Sequence, residues 1–212
     1  MTPLPQPQPD PRPEPTRPPV PVPPLPKTPI PENHPLFRLF RGLVDHTFEI
    51  GLASPGLTDY VAGLLTRFVH MDGVYTLRGQ SGRRLEEVAE MLVSAHFPET
   101  LTLQQRRAII HKHVGDFTLF WTGVYPESLA RLKGRGSRDG LIDYIRQGKK
   151  SYRLAAEAER TEPAAEVRCE AAVLEQISEQ FEECVYGLGL VRRGWEKPSP
   201  GGGPSVPPRI VN

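Results

Sequence analysis

The chain predicts an all-α domain, an irregular bundle of about six or seven helices with disordered N- and C-terminal tails. Three observations carry this reading. Apolar residues recur at spacings of three and four through every long segment between residues 36 and 195, which is the period of a helix face. Proline, glycine and Ser/Thr punctuation falls between those segments, where helices start and stop. No segment shows the sustained alternation of a half-buried strand.

Residues 1–35 are a proline-rich arm that holds 16 of the 25 prolines. Proline fixes φ and removes an amide donor, so the arm should be disordered with polyproline II character. Its Pro18-x-x-Pro21 and Pro21-x-x-Pro24 spacings, with Arg17 beside them, suit a proline-binding groove, although any tract this rich in proline contains such spacings. The folded domain, 36–195, opens after Pro35. Leu36, Phe37, Leu39, Phe40, Leu43, Val44, Phe48 and Ile50 surround nearly the whole first helix, as in an element that is deeply buried or covers a partner.

Ser54-Pro55 starts the second helix, with Ser54 as N-cap and Leu57, Val61, Leu64, Leu65 and Phe68 inward. Residues 73–82 read as a loop. A third helix is expected over Arg84–Phe97, with Leu85, Val88, Leu92 and Ala95 inward and Glu86, Glu87 and Glu90 outward. Thr102 caps the central helix. On it Ile110, Val114, Phe117, Trp121 and Val124 form an apolar stripe, and His111, Gly115, Thr118 and Thr122 a row suited to close approach of another helix. A helix over Asp139–Glu159 and a last one over Ala164–Leu188 follow. The tail 196–212, rich in glycine and proline, should be disordered.

Three segments, YVAGLLTRFV, GRRLEEVAEMLVSA and HKHVGDFTLFWTGVYPE, resemble a bacterial all-helical family of uncharacterised function. The resemblance covers roughly residues 36–155. It implies an all-helical fold, attaches no activity and transfers no functional residues.

A net charge of +1 gives no global bias toward nucleic acid or acidic membranes. Two cysteines exclude a disulfide scaffold. No apolar run approaches the ~20 residues of a membrane span, and the N-terminus lacks the blocks of a signal peptide, so a cytoplasmic location is expected. Charge is nevertheless segregated. Residues 131–153 carry eight basic and two acidic side chains, and residues 162–183 carry seven glutamates and one arginine. The basic patch Arg146, Lys149, Lys150 and Arg153 could hold phosphates. Pairing between antiparallel helices accounts for the same numbers more simply, so nucleic acid is disfavoured as a partner.

The nearest approach to a metal pattern is His46 with Glu49 and His113 with Asp116, each pair three apart on one helix face. Di-metal bundles place Glu-x-x-His units on facing helices; here the order is reversed and no further inward glutamate is evident. The competing structural reading makes His113 a core histidine and Asp116 an N-cap at a kink after Gly115. Cys184 lies on the heptad face of the last helix and reads as a buried hydrophobe. No nucleophile elbow or phosphate loop is present, and no cofactor is indicated. The residues therefore favour a non-enzymatic domain that binds a partner protein or a second copy of itself through the first helix. A metal-dependent enzyme or sensor using His46, Glu49, His113 and Asp116 is the alternative, and nucleic-acid binding the second.

Overall fold

The computed structural model describes residues 31, 33–48, 54–134, 136–161 and 165–196, the side chains of residues 71 and 165–169 excepted. The proline-rich arm up to residue 30, Glu49 and the tail beyond residue 196 lie outside the described residues. Nine α-helices are present among those described: α1 (Pro35–Phe48), α2 (Pro55–Phe68), α3 (Met71–Val74), α4 (Val88–Ser94), α5 (Leu103–Gly123), α6 (Leu129–Leu132), α7 (Tyr144–Arg160), α8 (Ala165–Glu179) and α9 (Phe181–Glu196). The surplus over the six expected segments is the two single turns, α3 and α6, and the division of the last segment into α8 and α9. No strand forms among the described residues; Arg78 and Arg84 make one isolated antiparallel bridge.

The central element is α5. Thr102 closes a capping box at its start, accepting from the Gln105 amide while the Gln105 side chain accepts from the Thr102 amide. The helix then runs unbroken through Gly115-Asp116 to Gly123, so Asp116 is not a cap and no kink marks it. From Val114 to Gly123 every residue is buried. Packing of α7 across the small-residue row explains this. A Cβ at Gly115 would lie 2.9 Å from the Tyr152 ring, and one at Gly148 would lie 2.6 Å from Thr118 Oγ1. The two glycines thus make room for side chains of the facing helix, Tyr152 over Gly115 and Thr118 over Gly148. Thr118 and Thr122 fold their hydroxyls onto the carbonyls of Val114 and Thr118, at 2.8 and 2.6 Å, so the tight seam leaves no hydroxyl unpaired.

The apolar surroundings of α1 are largely used inside the molecule. Phe37, Phe40, Val44 and Phe48 are buried between α2 and α9. Phe40 meets Trp195 edge-on at 5.5 Å, and Gly187 leaves room for the Phe48 ring. Leu36 and Leu43 pack partly against the core. Leu39, 54 % exposed, is the large hydrophobic side chain that α1 leaves in solvent.

Three expected boundaries change. The helix expected over Arg84–Phe97 shrinks to α4. Residues 77–85 instead pair across a tight turn, with Leu85 N donating to Leu77 O and Gly79 N to Arg83 O, and Gly82 supplies the positive φ of 76° that the turn requires. Glu90, expected outward, is buried and pairs with Arg83 at 2.7 Å and Arg138 at 3.5 Å. The helix expected from Asp139 begins at Tyr144 with Asp143 as its N-cap. The single last helix is two, divided at Gln180. Backbone bonds from Gln180 N to Gln176 O and from Cys184 N to Gln180 O continue across the break. The apolar spacing Ile177, Phe181, Cys184, Leu188 therefore persists through it and conceals it.

Asp139 has a different task from helix capping within its own segment. Its side chain is buried and accepts from the Val88 amide at 2.8 Å, the Ala89 amide at 2.9 Å and the Tyr144 hydroxyl at 2.6 Å. It thus caps α4 from across the fold, where the local N-cap residue Glu87 makes no capping bond. Glu87 Oε1 in turn accepts from the Arg138 amide at 3.3 Å.

Candidate functional site

Of the four residues considered as metal ligands, His46, His113 and Asp116 are among the described residues. His46 is exposed on the last turn of α1, and Glu49 lies outside the described residues. His113 and Asp116 sit side by side on α5, but Asp116 is fully engaged. Its Oδ1 accepts from the Tyr60 hydroxyl at 2.5 Å and the Tyr152 hydroxyl at 2.8 Å, and its Oδ2 accepts from Arg67 at 3.3 Å. Among the described residues no group of three or more His, Cys, Asp or Glu side chains is placed to hold a metal ion.

Asp116 is therefore the hub of a buried polar network joining α2, α5 and α7. Burial, then the Asp116 charge, raise both tyrosines well above their usual range, so they stay protonated and donate. Lys112, one turn earlier, pairs with Glu170 of α8 and lies 5.5 Å over the Tyr60 ring. The network ties the three helices together. Tyr60 and Arg67 are seven apart on α2, a spacing that puts both on one face, but only the fold shows that this face meets Asp116.

His113 is a core histidine. It packs against Phe68 and Phe117 at 6.3 and 6.5 Å, and its Nε2 is shut off from solvent without a partner among the described residues. Burial holds its pKa down to about 4, with Asp116 opposing the shift and Arg67 adding to it. The folded protein thus refuses a proton that the unfolded chain accepts near 6.5. Stability is full above pH 6.5 and declines as pH falls toward 4. The loss expected from this group is at most about 3 kcal/mol. Urea unfolding at pH 7 and 4.5 should show a smaller pH difference for His113→Gln than for the natural protein; an equal difference would assign the effect elsewhere.

The basic patch on α7 is only partly neutralised. Lys149 pairs with Glu182 at 2.8 Å, so the expected match between the basic segment 131–153 and the acidic segment 162–183 is real at that point; Arg160, beyond the basic segment, pairs with Glu175. Arg153 reaches Glu157 of its own helix at 4.0 Å, a contact of little energy. Arg146 and Lys150 are exposed and form no ion pair among the described residues.

Near Lys150 lies an open groove of about 620 Å³ between residues 92–99 and the first half of α5. Leu92, Ala95, Phe97, Leu103 and Ile110 supply its apolar lining. Its polar lining comes from His96, Glu99, Arg106, Arg107 and His111. Leu103 is 81 % exposed, and Val93 on the adjoining turn of α4 is 86 % exposed. Arg106 fixes the loop beneath, donating to Leu101 O at 3.0 Å and Pro98 O at 3.1 Å. Arg107 is exposed and has no ion pair among the described residues. His111 Nδ1 lies 3.5 Å from Ser151 Oγ. Its pKa is lowered to about 4 by burial, then by Arg107 and Lys150.

The groove contains no nucleophile paired with a base. Cys184 is buried on α9 far along the chain from it, and burial pushes its thiol up to about 12, which leaves it inert. Sequence reasoning missed the groove because its walls depend on where α4 stops. The signal that was available is Leu103, a large apolar residue in the first turn of α5 with no inward role in the stripe.

Comparison with protein-family models, with curated proteins and with solved structures finds no match to this chain.

Proposed function

We propose that this is a non-enzymatic interaction domain whose groove between α4 and α5 holds an amphipathic segment of a partner protein. The observation that carries the reading is the groove itself. An apolar floor of Leu92, Phe97 and Ile110, extended by the exposed Leu103, is rimmed by charged side chains, of which Arg107 has no ion pair among the described residues. Its volume falls in the range of recognition clefts, and its shape and lining suit the groove mode of peptide capture. Two observations favour this over partnering through α1: the α1 side chains face the core, and Leu39 alone does not make a docking patch.

The test is selection from a random peptide library on the full-length protein, followed by titration against two variants. Leu103→Glu should weaken the enriched peptides by about tenfold or more, the cost of roughly 1.4 kcal/mol, while Leu39→Glu leaves them unchanged. Enriched peptides insensitive to Leu103→Glu would sink the reading. A dimer in light scattering that Leu39→Glu converts to 23.7 kDa monomers would move the interface to α1. Nucleic-acid binding has one observation in its favour, that Arg146 and Lys150 form no ion pair among the described residues, and is set against the peptide reading below.

A further inference from the structure

Resting on that reading, we infer that the segment taken by the groove is acidic, its carboxylates set against Arg107 and Lys150 while its apolar side chains lie over Leu103 and Ile110. The charge inventory comes first. The lining holds two arginines against Glu99, and Lys150 stands beside His111 from α7. Arg107 and Lys150 have no carboxylate partner among the described residues, whereas Lys149, the next residue along, has Glu182.

His111 reports the resulting field. The groups facing it are Arg107 on its own helix, Lys150, Ser151 and Gln147 of α7, and His96 and Glu99 of the opposite wall. After burial, Arg107 and Lys150 are what disfavour its charged form, and no carboxylate opposes them. At His113, two residues on, Asp116 does oppose. With two arginines and Lys150 against Glu99, the charge around the groove is net positive, the condition for drawing in an anionic partner and for turning away a cationic one.

The apolar floor decides which anion. A nucleic-acid strand needs exposed aromatic faces for its bases or a polar track for its phosphates. The aromatic ring in this lining, Phe97, is 5 % exposed, while Leu103 and Val93 stand open to solvent. Apolar side chains alternating with carboxylates match both features, and a polypeptide supplies them.

Three synthetic helical peptides with the same leucine spacing and a Glu, Gln or Lys polar face distinguish the outcomes by fluorescence anisotropy on the full-length protein. The Glu peptide should bind about tenfold or more tighter than the other two at low salt, and its advantage should shrink several-fold near 0.5 M salt as the Debye length contracts to about 4 Å. The double variant Arg107→Glu/Lys150→Glu should reverse the order, and Leu103→Glu should weaken all three. Both sites are on the surface, so circular dichroism should show the variants folded. Equal binding of the Glu and Gln peptides, still lost in Leu103→Glu, overturns the acidic assignment and leaves the partner-protein reading intact. Absence of binding by any peptide overturns both. Displacement of the Glu peptide by a single-stranded oligonucleotide, with steep salt dependence, replaces the acidic peptide with nucleic acid.

Discussion

Asp116→Ala should destabilise the protein by about 3–5 kcal/mol, the range for removing one member of a buried charged network. The substitution leaves two buried tyrosine hydroxyls without an acceptor and the Arg67 guanidinium without a counter-charge. Each orphaned group adds its own desolvation cost. For a domain of this size the melting temperature should fall by about 10 °C or more. The hub role has a more specific signature than the size of the loss. Tyr152→Phe should cost about 1 kcal/mol in the natural background and almost nothing in Asp116→Ala, because its partner is already gone. Additive losses in that double-mutant cycle would show the network to be a set of independent contacts.

The second large effect is expected at Asp139. Asp139→Ala removes the acceptor for the Val88 and Ala89 amides and the Tyr144 hydroxyl together, at a cost of about 2–3 kcal/mol. Here the damage should be local. Seven residues of helix cannot persist without tertiary support and a cap, so α4 should fray before the rest of the bundle loosens. Hydrogen exchange should accelerate at Val88 to Ser94 while the amides of α5 between Val114 and Gly123 keep their protection. Since α4 adjoins the groove, the same variant should bind groove peptides more weakly even where the bundle is intact. Uniform acceleration across α4 and α5 would show instead that Asp139 supports the global fold.

The residues that announced the fold were those whose local chemistry and periodicity agree. Ser54 and Thr102 cap the helices they were expected to cap, and the row His111, Gly115, Thr118, Thr122 marked the seam that α7 occupies. The boundaries that moved lie where a tertiary contact overrules a local pattern. Arg84 and Leu85 continue the helical spacing of residues 85–95 but are drawn into pairing with residues 77–79. Gln180 breaks a helix without disturbing its apolar repeat. The site was less legible still. His113 and Asp116 looked alike as polar residues on an apolar stripe. What separates them is the partners they meet: tyrosines from two other helices for one, aromatic rings for the other. The charge blocks were visible, but which cations are satisfied was not. Lys149 and Lys150 are adjacent in sequence, and only the position of Glu182 makes the first a tie between helices, while the second has no ion pair among the described residues.

The remote cap on α4 also sets an order of assembly. The carboxylate that completes this helix lies 50 and 51 residues beyond the amides it receives. Caps such as Ser54 and Thr102 form as soon as their own turn closes. That of α4 must wait until the chain has passed through α5 and the turn that follows it, and has bent back on itself. A chain emerging from the ribosome therefore has α2 capped early and α4 uncapped for the whole interval in which α5 is being made. Long-range closure of this kind comes late because its loop entropy must be met before the contact repays it. The α4 wall of the groove is thus completed only once the chain has passed Asp139, well after α4 itself has been made.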